Sequence, residues 1–81
     1  MEYEIKAIYD SRQSFYNKAI VKTDNESISL ISYTTKVCEI VDGKVKVFGT
    51  YSPTTLRHIK EFLKQHGFTA DSKAQILKDY S

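Results

Sequence analysis

The sequence predicts an α+β domain: an antiparallel sheet of four to five strands followed by one long and one short helix packed on it. Three observations carry this expectation. Period-two alternation of apolar and polar residues is confined to residues 2–51. Asp42-Gly43 separates two such runs with the residue pair suited to a two-residue type I′ hairpin. The stretch from Ser52 to Phe68 contains a whole helix, with its own start and stop signals.

The first alternating run covers residues 2–9, with Tyr3, Ile5, Ala7 and Tyr9 on one face and Glu2, Glu4, Lys6 and Ile8 on the other. Residues 10–17 break the pattern and read as a loop with Phe15 and Tyr16 as aromatic anchors. A second strand is expected over 18–23. It is followed by the polar turn Asp24-Asn25-Glu26-Ser27 and a third strand over 28–33. The last pair, 36–41 and 44–51, flanks Asp42-Gly43, and Gly49 marks a bulge or a close backbone approach.

Ser52 caps the long helix through its hydroxyl, and Pro53 loses nothing there by lacking an N–H. Gly67 takes the left-handed conformation that closes the helix, and Phe68 folds back on Leu63. Leu56, Ile59, Phe62 and Leu63 form the core-facing stripe, with Thr55 and His66 on the same side. Ser72 with Gln75 makes a capping-box pattern for the short helix, and Tyr80 is placed to pack back from its end.

The chain of 81 residues makes one domain, 1–81, and almost every large apolar side chain is needed for its core. Apolar residues at 41% and charged residues at 27% are globular values, against disorder. A formal charge of +2 falls short of an electrostatically driven nucleic-acid binder. The single Cys38 makes no internal disulfide, and no apolar run approaches the ~20 residues of a membrane span, so a cytoplasmic protein is expected.

Chemistry-bearing residues are sparse. His58 and His66 lie about 12 Å apart in helical rise, too far to share a metal, and no metal or cofactor is expected. The ordinary reading of His66 is a last-turn residue favoured by the helix C-terminus; that of His58 is a lateral side chain near Thr54 or Glu61. Cys38 reads as a small packing residue, because no basic cluster adjoins it to lower its pKa. The isolated glycines make no phosphate loop, the acids form no catalytic pair, and no enzyme is expected.

Two features point to binding. Arg57, Lys60 and Lys64 form a cationic stripe within about 60° on the helical wheel, with Glu61 beside it and an i,i+4 pair to Arg57. Its ordinary reading is a solvated helix face; its functional readings are an acidic protein partner or a weakly held phosphate backbone. Six tyrosines without a tryptophan are the other feature. The strand pattern buries Tyr9 and Tyr51, and leaves Tyr16 and Tyr33 beside loops where exposure is open to them.

Three phrases carry a resemblance: Tyr9-Asp10-Ser11-Arg12-Gln13-Ser14-Phe15-Tyr16-Asn17-Lys18-Ala19, Ser32-Tyr33-Thr34-Thr35-Lys36-Val37, and the run from Tyr51 through Pro53-Thr54-Thr55-Leu56-Arg57-His58-Ile59 to Leu63. Together they resemble a small uncharacterised domain of phages and mobile elements of Gram-positive bacteria, over about residues 8–80. Some inhibitors of type II CRISPR effectors carry similar N-terminal segments. The resemblance implies a non-catalytic, phage-encoded protein acting in the bacterial cytoplasm on a host protein or nucleoprotein, as an anti-CRISPR inhibitor does. It brings no catalytic motif or cofactor, and it turns interest to Tyr9, Asp10, Arg12, Ser14, Phe15 and Tyr16. The expected contacts are therefore Arg12, Phe15, Tyr16, Arg57, Lys60 and Lys64. The alternative is a small nucleic-acid-binding regulator that uses the Arg57/Lys60/Lys64 face; an accessory subunit of an enzyme comes last.

Overall fold

The computed structural model describes residues 1–9, 18–48 and 52–81. Five strands come first: β1 (Glu2–Glu4), β2 (Ala19–Thr23), β3 (Ser27–Ser32), β4 (Thr35–Val41) and β5 (Lys44–Val47). Two helices follow, α1 (Pro53–Gln65) and α2 (Lys73–Tyr80). The strands pair in chain order, each antiparallel to the next, so the sheet is a simple meander. Strands then helices is the expected α+β layering.

Tight connections explain the order. Asp42 (φ 52°) and Gly43 (φ 74°) both take positive φ, as a type I′ hairpin between β4 and β5 requires. The β3–β4 hairpin also turns on two residues, Tyr33 and Thr34, but only Tyr33 has positive φ, at 60°. It contains neither glycine nor asparagine, which is why composition alone does not announce it.

One face of the sheet builds the core. Val21 lies opposite Leu30, Leu30 opposite Cys38 and Cys38 opposite Val47, a continuous apolar row across four strands. The register shifts between Leu30 and Ile31, leaving Val37 as the extra residue of a bulge that turns both Val37 and Cys38 inward. Onto this face pack Ile59, Phe62 and Leu63 of α1, Ala70 of the connection and Ile76 of α2. Each of the larger side chains contributes about 1.5–3 kcal/mol by leaving water. Leu56 is only half-buried at the margin of the cluster.

The helix ends follow their local chemistry. Thr55 N–H donates to the Ser52 hydroxyl at 3.3 Å, with Pro53 at the first helical position. At the other end Phe68 N–H reaches the Leu63 carbonyl (2.9 Å) and Gly67 N–H the Lys64 carbonyl (3.2 Å), with Gly67 at φ 83°. These are the two bonds of a Schellman ending. In α2, Gln75 N–H donates to the Ser72 hydroxyl at 3.1 Å, but the Gln75 carboxamide accepts from Asp71 N–H rather than from the cap residue itself. Tyr80 packs its ring edge-on against Phe68 and donates its hydroxyl to the Thr69 carbonyl at 2.9 Å.

The first strand is shorter than the alternation predicts. Pairing with β2 stops at Glu4, apart from one bond from Ile5 N–H to the Ala19 carbonyl at 3.0 Å. Ile5 and Ala7 still pack on the core, whereas Tyr3 and Tyr9 are exposed, Tyr9 at 59%. The expectation that Tyr9 is buried therefore fails, because the chain leaves the sheet edge and crosses to α1. Arg12, Phe15, Tyr16, Gly49 and Tyr51 lie outside the described residues. Among the described residues no helix is long and apolar enough to cross a membrane.

Candidate interaction surface

The expected cationic stripe lies on the side of α1 away from the sheet, with Arg57 exposed and Lys60 and Lys64 half-buried. Glu61 does not join it. Its side chain is 1% exposed, on the opposite flank of the stripe. The wheel assigns a carboxylate to solvent, but here Tyr9 N–H donates to Oε1 at 2.8 Å and to Oε2 at 3.1 Å. Gln65 Nε2 donates to the same Oε2 at 2.6 Å and to the Lys6 carbonyl at 2.5 Å. The segment after β1 thus runs along α1 with its backbone groups held by helix side chains, and the buried charge is met by several donors.

His58 is likewise interior rather than lateral. It is 1% exposed, and its Nδ1 lies 2.8 Å from the hydroxyl of Ser32, which is 2% exposed. The Ser32 hydroxyl also lies 3.2 Å from the Thr55 hydroxyl, so the capping turn of α1 and the end of β3 share one polar cluster. A serine–histidine contact at this distance has the spacing of a nucleophilic pair. Here both partners are sealed between sheet and helix, and a substrate would have to lift α1 to reach the serine oxygen.

The other nucleophile is also packed away. Cys38 is wholly buried, and burial pushes its thiol up to about 12, with the Glu39 carboxylate adding to the rise against an opposing backbone hydrogen bond from Glu39. His66 Nδ1 lies 2.8 Å from the Phe62 carbonyl, which only accepts, so this nitrogen carries the proton. Its ring lies tilted at 50° against Phe62 with centroids 4.8 Å apart, a last-turn placement. No cluster of three metal-binding side chains occurs among the described residues.

Of the two described ends of the segment between β1 and β2, one bonds α1 directly and the other reaches it only through Tyr33. Tyr9 is tied directly to Glu61. At the return, the Lys18 carbonyl accepts from Tyr33 N–H at 2.6 Å, the Lys18 ammonium stands 5.9 Å from the Tyr33 ring, and that ring lies 5.9 Å from the His58 ring. Ile8, Tyr9, Tyr33 and Arg57 are all solvent-exposed around these anchors. Sequence reasoning gave Arg57, allowed exposure of Tyr33 and set Ile8 on the polar face of its strand; the same alternation wrongly buried Tyr9, to which only the resemblance drew interest.

A model of a family of unknown function (DUF8033) matches residues 3–78, nearly the whole described fold. No curated protein and no solved structure matches the chain.

Proposed function

The chain belongs to DUF8033, a family of unknown function, so its own residues must carry the reading, and we propose a non-catalytic protein that binds a host protein or nucleoprotein. One observation carries it: Tyr9 is tied to Glu61 of α1 and the Tyr33 ring lies against His58 of the same helix, with Ile8, Tyr9, Tyr33 and Arg57 all exposed. Tyrosine and arginine are the residue types that dominate interface energetics. The sequence between Tyr9 and Lys18 adds Arg12, Phe15 and Tyr16, of the same types. Lys60 and Lys64 extend the surface with positive charge toward an acidic partner. By contrast Ser32, His58, Glu61 and Cys38 are spent on packing and internal hydrogen bonds, which favours binding over catalysis. Phage origin, cytoplasmic action and inhibition of a type II CRISPR effector are the specific form of the proposal, and they rest on the resemblance of the three phrases.

The test is capture from bacterial lysate with and without nuclease, using wild-type protein and Arg57→Glu, alongside a DNA-cleavage assay of a type II effector. The proposal expects a nuclease-resistant protein partner, lost with Arg57→Glu, and inhibited cleavage. Capture that disappears on nuclease treatment, and weakens uniformly on charge reversal of Arg57, Lys60 or Lys64, gives first place to the nucleic-acid regulator.

A further inference from the structure

The sheet face turned away from both helices carries a second chemical pattern. Strand alternation places Lys22, Lys36, Lys44 and Lys46 there, opposite in sense to the Val21–Leu30–Cys38–Val47 core row. Phe48 joins them. It is a large aromatic left 44% exposed, outside the core cluster, with the Lys36 ammonium 5.7 Å and the Lys46 ammonium 5.9 Å from its ring centroid. The acids of this face are placed unevenly. Glu2 and Glu4 sit on β1, at the far edge of the sheet, and Glu39 is held by Lys36 at 2.6 Å. Positive charge therefore gathers toward β4 and β5. Between the edges an open groove of about 600 Å³ is lined by Ile31, Ser29, Lys22 and Lys36 together with the acids Glu2 and Asp24, so its positive side is the one toward β4.

We infer that this helix-free face is a binding site for single-stranded nucleic acid, with a base stacked on Phe48 and flanking phosphates on Lys36, Lys44 and Lys46. The charge gradient supplies the complementarity. An acidic peptide would engage the lysines alone, whereas a base adds a flat π-face that stacks on the exposed part of the Phe48 ring. A duplex keeps its bases stacked on one another and offers only phosphates, so the ring selects for a single strand. The site lies on the opposite side of the sheet from α1 and stands independently of the protein-docking surface proposed there. A nucleoprotein target would engage both.

The experiment uses the whole chain and fluorescent oligothymidine and oligouridine at low salt, with anisotropy as the readout. Both strands should bind, and affinity should fall as salt rises. Phe48→Ala should weaken binding about tenfold or more, the usual consequence of losing a stacked base. Phe48→Leu keeps apolar bulk without the π-face and should weaken binding comparably, which separates stacking from any loss of packing. Lys44→Glu and Lys46→Glu should weaken binding and flatten the salt dependence, by about 0.7 in slope for each phosphate no longer neutralised. The chain has no tryptophan, so Phe48→Trp supplies a single reporter whose fluorescence a stacked base should quench. Lys73→Glu, at an exposed lysine of α2 that belongs to neither surface, should leave all of this intact. Absence of binding at low salt, a Phe48→Leu protein that binds like wild type, or equal displacement by oligoglutamate would each overturn the inference. So would binding that is lost with Arg57→Glu alone.

Discussion

The backbone N–H of Tyr9 donates to both carboxylate oxygens of Glu61, at 2.8 and 3.1 Å, across 52 positions of sequence. A fully buried carboxylate on a helix is costly unless it is met by donors, and this one is met by a backbone amide and by Gln65. The bond fixes where the chain that leaves β1 meets α1. Glu61 is thus a positioning residue for the proposed surface, and not a member of its charge stripe.

Glu61→Ala should therefore destabilise the fold by about 2–3 kcal/mol, because a charge-assisted bond disappears and a backbone donor is stranded. In a domain of this size each kcal/mol moves the melting point by roughly 4–8 °C. Hydrogen exchange should also show the Tyr9 amide losing protection before the sheet does. A wild-type melting point with a still-protected Tyr9 amide would show that the bond contributes nothing.

The Ser32–His58 pair makes a separate prediction. Ser32→Ala leaves both His58 Nδ1 and the Thr55 hydroxyl short of a buried partner, at a cost of about 1–3 kcal/mol. Since the pair acts as a unit, Ser32→Ala combined with His58→Phe should cost less than the two single changes summed, with a coupling of about 0.5–3 kcal/mol. Strict additivity in chemical denaturation would show the two side chains to be energetically independent.

What the sequence disclosed, and what it hid, divides by range. The Ser52 cap, the Schellman ending at Gly67 and the Asp42-Gly43 hairpin are each set by residues within a turn of one another, so local chemistry suffices to read them. Local patterns misplace Glu61, His58 and Tyr9 because the partners of these residues lie far along the chain. A helical wheel contains no term for a strand segment that crosses to cover one flank. The lysines and Phe48 of the helix-free face are visible as alternation, but which face the helices choose is a tertiary outcome. The Val37 bulge, which turns two consecutive residues inward, also defeats a simple period of two.

The α1 core stripe gives a graded expectation. Ile59→Ala and Leu63→Ala remove wholly buried side chains and should each cost about 2–4 kcal/mol. Leu56→Ala, at the half-buried margin, should cost clearly less. Equal losses at all three positions in urea titrations would mean that the helix is rotated about its axis from the orientation described.

Cys38 links stability to alkaline pH. Its thiol is raised from 9.0 to about 12 in the folded state, chiefly by burial, so the folded protein holds the proton more tightly than the unfolded chain. The resulting stabilisation is complete below pH 9.0 and is lost as pH rises through the window to about 12. Against wild type, Cys38→Ala should show a shallower fall in stability over that window, whatever its offset at neutral pH. At pH 8 the thiol of the native protein should resist alkylation and react only on unfolding. Rapid labelling of the native state would place Cys38 at a surface.

Tyr33 offers the sharpest separation of structure from binding. It occupies the first position of a two-residue hairpin at φ 60°, a conformation that asparagine adopts more readily than tyrosine. Its ring is half-exposed, between the Lys18 ammonium and the His58 ring, where it gains little burial. A bulky aromatic kept in a disfavoured conformation at the rim of the proposed surface fits a residue retained for contact with a partner. Tyr33→Asn preserves the turn and removes the ring, so the variant should melt within a few degrees of wild type while host-partner capture and effector inhibition fall about tenfold or more. A variant that unfolds would assign the ring to the fold, through His58. A stable variant with undiminished capture would remove Tyr33 from the interface and leave Ile8, Tyr9 and Arg57 as its described part.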